Sequence, residues 1–281
     1  MTAGRGAGGR RGGAPRSLLR VAAVQDGSVD GDVAANVERH IAWIERAADD
    51  GVALAVFPEL SVTGYDPDLI DLHRMRVDAT DARLDPIRAA CRRRRLHALI
   101  GAPVGPPGSH GGSTRASNGA ASGTVPPRIG VLHISPTGAI APVYYKCHLD
   151  TGEIGIFAAG TAAGLIDIDG WRIGLAVGRD TAVPAHAERL IGMGADVYAV
   201  AALFRLGSDE RMAGQMAAAA ARGLWVVLAQ YCGGTGGGPA CGRSGVWSPG
   251  GEEQVRLGTA PGLAVVDVVD VADAEAGTAG H

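Results

Sequence analysis

Residues 173–180 read Ile-Gly-Leu-Ala-Val-Gly-Arg-Asp, and Pro184 and Gly194-Ala195-Asp196 follow. An apolar run ends in a sharp turn at Gly178. Pro184 suits the first turn of a helix, which the spacing places over 184–193. Residues 196–202 (DVYAVAA) then return to an apolar strand. Strand, turn, helix and strand in succession are the building unit of an α/β fold. A turn of this kind holds its residue beside backbone N–H groups and a helix N-terminus, a place suited to a nucleophile. Here the turn residue is glycine.

The same alternation extends in both directions. Upstream, residues 20–25 (RVAAVQ) form an apolar strand. Val33, Val37, Ile41, Ile44 and Ala48 recur at helical spacing over 33–50, with Asp30 or Asp32 near the start and Gly51 at the end. A buried strand over 52–57 leads to a helix over 82–95, with Leu84, Ile87 and Cys91 on one face. The four arginines 92–95 complement the dipole of that helix's C-terminal end and read as a solvated end rather than a nucleic-acid site. Further strands are predicted over 98–104, 129–134, 141–146, 165–168 and 172–177. Downstream lie a helix over 208–222, with Ser208 as its N-cap and Gly223 past its end, and strands over 224–231, 245–247 and 263–269. Residues 105–127, rich in Gly, Ser and Pro, read as a surface loop. With no internal repeat and no linker, residues 18–270 read as one α/β domain. A Gly/Arg-rich tail over 1–17, with four arginines and no acid, is expected to be disordered, and 271–281 to be a flexible C-terminal tail.

Composition narrows the function. The 281 residues are 46% hydrophobic and 20% charged with net charge −3. The mean hydropathy is +0.11 and the sequence pI about 6.2. No apolar run is long enough to span a bilayer and no signal peptide is visible, so a cytoplasmic protein without membrane contact is expected. The slight acidity speaks against a nucleic-acid partner. The four cysteines read as reduced thiols. No CxxC or HExxH pattern supports a metal site. Of the 26 basic side chains, Lys146 is the only lysine. It is either a chance survivor in an Arg-rich chain or a position that needs a compact ammonium.

Three segments place chemistry at strand ends, where α/β proteins tend to build their sites. Residues 57–65 (FPELSVTGY) run an apolar strand straight into Glu59. A carboxylate at the edge of a core is partly desolvated, which raises its pKa and suits a general base; the alternative is a solvated loop glutamate. Residues 143–149 (VYYKCHL) place Lys146 at a strand end, where an ammonium can stabilise an oxyanion, or simply sit on the surface. Glu153 and Phe157 follow. The third segment is the turn at Gly178, with Arg179 and Asp180 behind it. Tyr65, His186 and Phe204 read as pocket or packing residues.

Together these segments resemble the carbon–nitrogen hydrolase (nitrilase) superfamily. The resemblance runs from about Arg20 to Val269. FPELSVTGY resembles the family's glutamate motif, YYKCHL its lysine motif, and GLAVGRD with the later Pro184 and GAD its cysteine motif. Asn118, the ISPTGA turn over 134–139, Glu153 with Phe157 and Gly160, and GRSGVWSPG over 242–250 add support. The resemblance implies an α-β-β-α sandwich that pairs into a homodimer or higher homo-oligomer. It also implies cofactor-free hydrolysis of a non-peptide C–N bond in a small amide, an N-carbamoyl amine or a nitrile. By motif, Glu59 is the general base, Lys146 stabilises the tetrahedral oxyanion, and Glu153 orients lysine and substrate. The residues expected to bind substrate are Tyr65, Arg179, Asp180 and Phe204; the other reading of Asp180 is a cap of the turn, and of Arg179 a buried structural ion pair.

The chain departs from the family pattern at one point. The resemblance assigns the nucleophilic cysteine to position 178, which is glycine here. Glycine has no atom that attacks a carbonyl, although it tolerates the backbone of a sharp turn. Hydrolysis is therefore expected to be absent or very weak, with a pocket that still takes a small amide or carboxylate ligand. Two other readings stand beside this one. One is an active amidase with a displaced thiol, for which Cys232 is the first choice, ahead of Cys241 and Cys147. Cys91 is assigned to packing. The other is a non-catalytic ligand-binding or assembly protein on the same scaffold.

Overall fold

Strand β1 (Leu19–Gln25) shows how the layers arise. Side chains along a strand point alternately to opposite faces. Val21 and Ala23 enter one hydrophobic cluster, Ala22 and Val24 another. Strand β8 (Val197–Ala202) repeats the pattern: Val197, Ala199 and Ala201 join the first cluster, Tyr198, Val200 and Ala202 a third. A strand buried on both faces needs apolar residues at every position, which is why these segments are unbroken hydrophobic runs. The computed structural model that shows this describes residues 17–66, 75–106 and 125–270.

The first sheet has the order β14-β1-β2-β3-β4-β5. Its other strands are β2 (Leu54–Val56), β3 (His97–Val104), β4 (Arg128–Ile134), β5 (Ile140–Tyr145) and β14 (Gly262–Val268). Strands β1, β2 and β3 are parallel, and β14, β4 and β5 extend the sheet antiparallel. The second sheet has the order β13-β12-β9-β8-β7-β6. It contains β6 (Gly164–Ile168), β7 (Trp171–Val177), β9 (Trp225–Gln230), β12 (Gly245–Trp247) and β13 (Glu253–Arg256) around β8. Here β7, β8 and β9 are parallel. The central cluster takes residues from both sheets. Helices α1 (Val33–Asp49) and α2 (Asp85–Arg94) cover the outer face of the first sheet. Helices α3 (Pro184–Gly192) and α4 (Asp209–Ala220) cover the second. The result is an α-β-β-α sandwich.

Every predicted strand and helix occurs, with ends displaced by a few residues. Two details differ. Residues 82–95 are not one helix: a 3-10 turn over Ala82–Leu84 precedes α2, whose start is set by Pro86. The arginine run that ends α2 is mostly exposed, as a solvated end should be, and Arg93 and Arg94 pair across the surface with Glu45, and Arg94 with Asp49, on α1. Ser208 makes no side-chain cap for α4; its Oγ accepts from Arg211 Nη2 at 3.1 Å. Of the two candidate caps for α1, Asp32 serves, its carboxylate accepting from Ala35 N at 3.0 Å. Strand β13 and the two-residue pair β10 (Cys232–Gly233) and β11 (Ala240–Cys241) have no apolar alternation to announce them. Ser17, placed by sequence in the tail, is tied down, its carbonyl accepting from Trp171 Nε1 at 3.0 Å. The remaining tail residues, most of the 105–127 loop and Asn118 lie outside the described residues.

Candidate active site

The three motif segments meet at one end of the sandwich. Glu59 follows β2, Lys146 follows β5 and Gly178 follows β7, each at the C-terminal end of its strand. The Glu59 segment is pressed onto Gly101 of β3, where a β-carbon would collide with the backbone of Pro58 and Leu60. The Lys146 backbone is clasped on both sides, its N–H donating to Ile129 O at 2.8 Å and its carbonyl accepting from Gly160 N at 2.7 Å.

Lys146 is 1% exposed, Glu59 and Glu153 each 2%. The ammonium Nζ donates to Glu59 Oε1 and Glu153 Oε1, both at 2.7 Å, and to Asp150 Oδ2 at 3.3 Å. One cation thus serves three carboxylates, two of them away from water. Burial pushes the Glu59 carboxyl up to about 8; Lys146 opposes the shift and Glu153 adds to it. Burial also raises Glu153. Burial by itself would lower Lys146, but Glu59 and Glu153 together hold it above its usual range. The cluster therefore keeps its ammonium and tends to retain a proton on the carboxylate pair.

Gly178 has φ +44°, in the left-handed region that favours glycine. A β-carbon at this position would lie 2.6 Å from Glu59 Oε2 and 3.1 Å from Lys146 Nζ. A side chain at 178 would thus be aimed into the charged cluster. The turn is a 3-10 helix over Gly178–Ala182. Thr181 Oγ1 donates back to the Gly178 carbonyl at 2.9 Å.

Above the cluster opens a cavity of about 290 Å³. Glu59, Tyr65, Glu153, Gly178, Arg179 and Phe204 line it, as do Asp150, Thr181, Arg205, Arg211 and Gln215. Burial raises the Tyr65 phenol, with Glu153 and Glu59 acting in the same sense, so it stays a neutral donor.

Asp180, expected to bind substrate, is not in the cavity lining. It is fully buried behind the turn, accepting from Tyr144 Oη (2.7 Å), Val177 N (3.0 Å), His148 N (3.0 Å) and His148 Nδ1 (2.8 Å). Its side chain points back because a 3-10 turn brings residue 180 over the N–H of residue 177. His186 also lies behind, between Tyr144 Oη at 2.9 Å and Tyr198 Oη at 3.0 Å.

The thiols lie elsewhere. Cys232 does not line the cavity. Its backbone N–H donates to Asp26 O at 3.2 Å, and burial pushes its thiol up to about 11. Cys147 turns its sulfur toward Tyr145 O (3.7 Å) and Ala162 O (3.5 Å). Cys241 packs near Met212 and Gln230, and Cys91 in the core beneath α2.

Sequence reasoning missed Asp150, although it stands four residues after Lys146. It also missed Arg205 and Arg211, which nothing local separates from the other arginines.

The model of the family described as carbon–nitrogen hydrolase matches residues 20–276. Among solved structures, a double mutant of the amidase from Nesterenkonia sp. AN1 in complex with acrylamide is 24% identical, with TM-score 0.76, over 95% of this chain and 100% of that one. A single mutant of the same amidase, in complex with butyramide, is 25% identical with TM-score 0.76, over 92% of this chain and 96% of that one. Curated relatives are the glutamine-dependent NAD(+) synthetases of Mycobacterium bovis and Mycobacterium tuberculosis, 42% identical over 69 residues. That match spans 24% of this chain and a tenth (10%) of the length of those relatives.

Proposed function

The chain belongs to the carbon–nitrogen hydrolase family, and from that premise we propose that it keeps the pocket of a small-amide hydrolase without the thiol step. It binds a small amide or carboxylate ligand and hydrolyses amides slowly or not at all. The observation behind this reading is the direction of the missing side chain: a β-carbon at 178 would face both Glu59 Oε2 and Lys146 Nζ. In this reading position 178 is the nucleophile's place, Glu59 the base and Lys146 the oxyanion partner. Amidase neighbours crystallised with acrylamide and butyramide favour an amide over a nitrile. The homodimer implied by the family resemblance belongs to the same proposal.

Two physical reasons make turnover weak. A thiolate route is closed, because no sulfur lines the cavity among the described residues. The remaining route is attack by water: its proton passes to Glu59 as the new C–O bond forms and the carbonyl π pair moves to an oxyanion beside Lys146, after which the C–N bond breaks and the amine leaves with the proton returned by Glu59. Burial raises the Glu59 carboxyl, which leaves less of it in the carboxylate form that can take the proton of a weakly acidic water.

Purified protein and its Gly178→Cys variant, assayed on a panel of small amides and N-carbamoyl compounds, test the proposal. The unmodified chain is expected to stay near background, and the variant to gain on the order of a thousandfold or more. The Glu59 carboxylate end must swing aside to admit the new side chain. Robust turnover by the unmodified chain would overturn the proposal. If that turnover were lost on thiol alkylation, with an acyl adduct on Cys232, the displaced-thiol reading would take its place.

A further inference from the structure

Strand β8 ends at Ala202, and the next two residues, Leu203 and Phe204, line the cavity. A buried N–H or C=O without a partner is costly, so this wall needs its backbone held. Up to Ala202 the neighbouring strand β9 does so, with Ala202 in register with Gln230. Beyond that pair no register partner on β9 remains for Phe204. A side chain takes over. Gln230 Oε1 accepts from Phe204 N at 2.9 Å, and Gln230 Nε2 donates to Phe204 O at 2.7 Å. A primary amide carries a carbonyl and N–H donors as a peptide does, so it pairs with the Phe204 backbone as a further strand would. A glutamate of the same shape has no donor for Phe204 O when ionised, and a methionine has neither group.

The amide is itself anchored. Gln230 N donates to Ser244 Oγ at 2.9 Å, and Ser244 N donates to Gln25 Oε1 at 2.7 Å. Gln25 Nε2 donates in turn to Gly258 O at 2.9 Å and Ala260 O at 2.6 Å. Gln25, Gln230 and Ser244 are fully buried, and none of them lines the cavity. Gln25 belongs to β1 of the first sheet and Gln230 to β9 of the second, so a run of buried hydrogen bonds ties the wall to both sheets. The Phe204 ring is held as well, under the Arg211 guanidinium at 5.4 Å.

We propose that Gln230 is a positioning residue: by holding the Phe204 backbone it fixes the cavity wall that bounds the ligand's acyl chain, without touching the ligand. The part of this that concerns a ligand rests on the amide-binding reading above; the part that concerns Phe204 stands apart from it. A wall held by its own backbone cannot yield to a longer chain, and packing that is off by a fraction of a side chain costs affinity. In a cavity of about 290 Å³, at the small end for ligand sites, the place of one aromatic ring decides much of the shape.

The chain has three phenylalanines, Phe57, Phe157 and Phe204, so labelling with 4-fluorophenylalanine gives three fluorine signals, and the one lost in Phe204→Leu belongs to the wall. Gln230→Glu and Gln230→Met should both move that signal at pH 8. In Gln230→Glu it should return as pH falls toward 5, because a protonated carboxyl regains a donor for Phe204 O; Gln230→Met has none and should not respond. The titratable group in contact with the Gln230 amide is the Cys241 thiol, with Asp209 and Arg256 beyond it; burial raises the thiol, so it stays neutral over this range. Butyramide affinity, by calorimetric titration, should fall about tenfold in Gln230→Glu at pH 8, the scale of one hydrogen bond's net worth, and recover with the fluorine signal. A merely structural role would lower the melting temperature without that recovery. One readout needs no variant: in the unmodified chain the Phe204 amide proton should exchange with solvent as slowly as those of β8. Exchange at the rate of an open loop, or a Phe204 signal that neither substitution moves, would overturn the proposal. So would a butyramide affinity that stays constant while the signal moves. If butyramide binds to none of these chains, the amide-binding reading falls, and the fluorine and exchange results still decide what Gln230 does to the wall.

Discussion

The turn at Gly178 has two polar sides, and they are wired differently. In front, one ammonium faces three carboxylates, and its hydrogen bonds run to acidic oxygens at 2.7, 2.7 and 3.3 Å. Behind, one carboxylate faces four donors: Asp180 is saturated by Tyr144, Val177 and His148, and the network continues through His186 to Tyr198. The front has an excess of negative charge and too few protons. The back has a donor for each lone pair it uses. Burial makes both arrangements consequential, since a buried polar group without a partner is costly. The difference teaches that the front is arranged for handling charge and the back for holding a backbone. The glycine between them leaves the two sides intact.

The largest effect should follow from removing the one cation in front. Lys146→Met leaves Glu59 and Glu153 buried without it and should cost about 3–5 kcal/mol at pH 7 by urea denaturation. The loss should shrink as pH falls, since burial raises both carboxyls and a protonated carboxyl needs no counter-charge. A loss that does not vary with pH would mean that the front is packing rather than charge.

Next comes the back. Asp180→Asn keeps the shape but has one acceptor oxygen where four donors converge. Stability should fall by about 2–3 kcal/mol, the cost of buried donors left without an acceptor. Ligand binding by the folded fraction should persist, because Asp180 does not line the cavity. If binding disappears while stability holds, the division between front and back fails.

The smallest effect is a slope. Burial pushes the Glu59 carboxyl from its usual 4.5 up to about 8. The stability tied to its proton is fully present below about 4.5 and is lost as pH climbs through about 8, at no more than about 1.4 kcal/mol per pH unit for one proton. His40 works in the opposite sense. Burial holds it near 4, so its contribution is lost as pH falls from 6.5 through about 4. Melting curves for the unmodified chain and Glu59→Gln between pH 6 and 9 isolate the Glu59 part. The substitution should flatten the decline toward high pH, and an unchanged slope would assign it to other groups.

Much of this was legible because the signals are local. Unbroken apolar runs such as 197–202 mark strands buried on both faces, and Val33, Val37 and Ile44 mark a helix lying on a sheet. Glu59 was visible because a strand runs into it, Lys146 because it is the one lysine, and Gly178 because the turn around it is complete. Arg205 and Arg211 were not visible. They stand among 25 arginines (26 basic residues less Lys146), and only the path of the chain brings them to the same opening as Arg179. Asp180 had two readings, a substrate-binding residue and a cap of the turn. The 3-10 geometry carries its side chain behind, where it accepts from Val177 N and serves as the cap.

Residue order alone settled the layered architecture, the family resemblance and the set of groups available for chemistry. Hydrophobic periodicity and strand-end motifs are written within a few neighbouring residues. Tertiary packing decided which of those groups share a cavity, which brace it from behind, and that Cys232 stands outside it. Such placements depend on how two sheets are registered and stacked. Positions 59, 146 and 178 come together across that stacking, and no stretch of neighbouring residues encodes the distance between them.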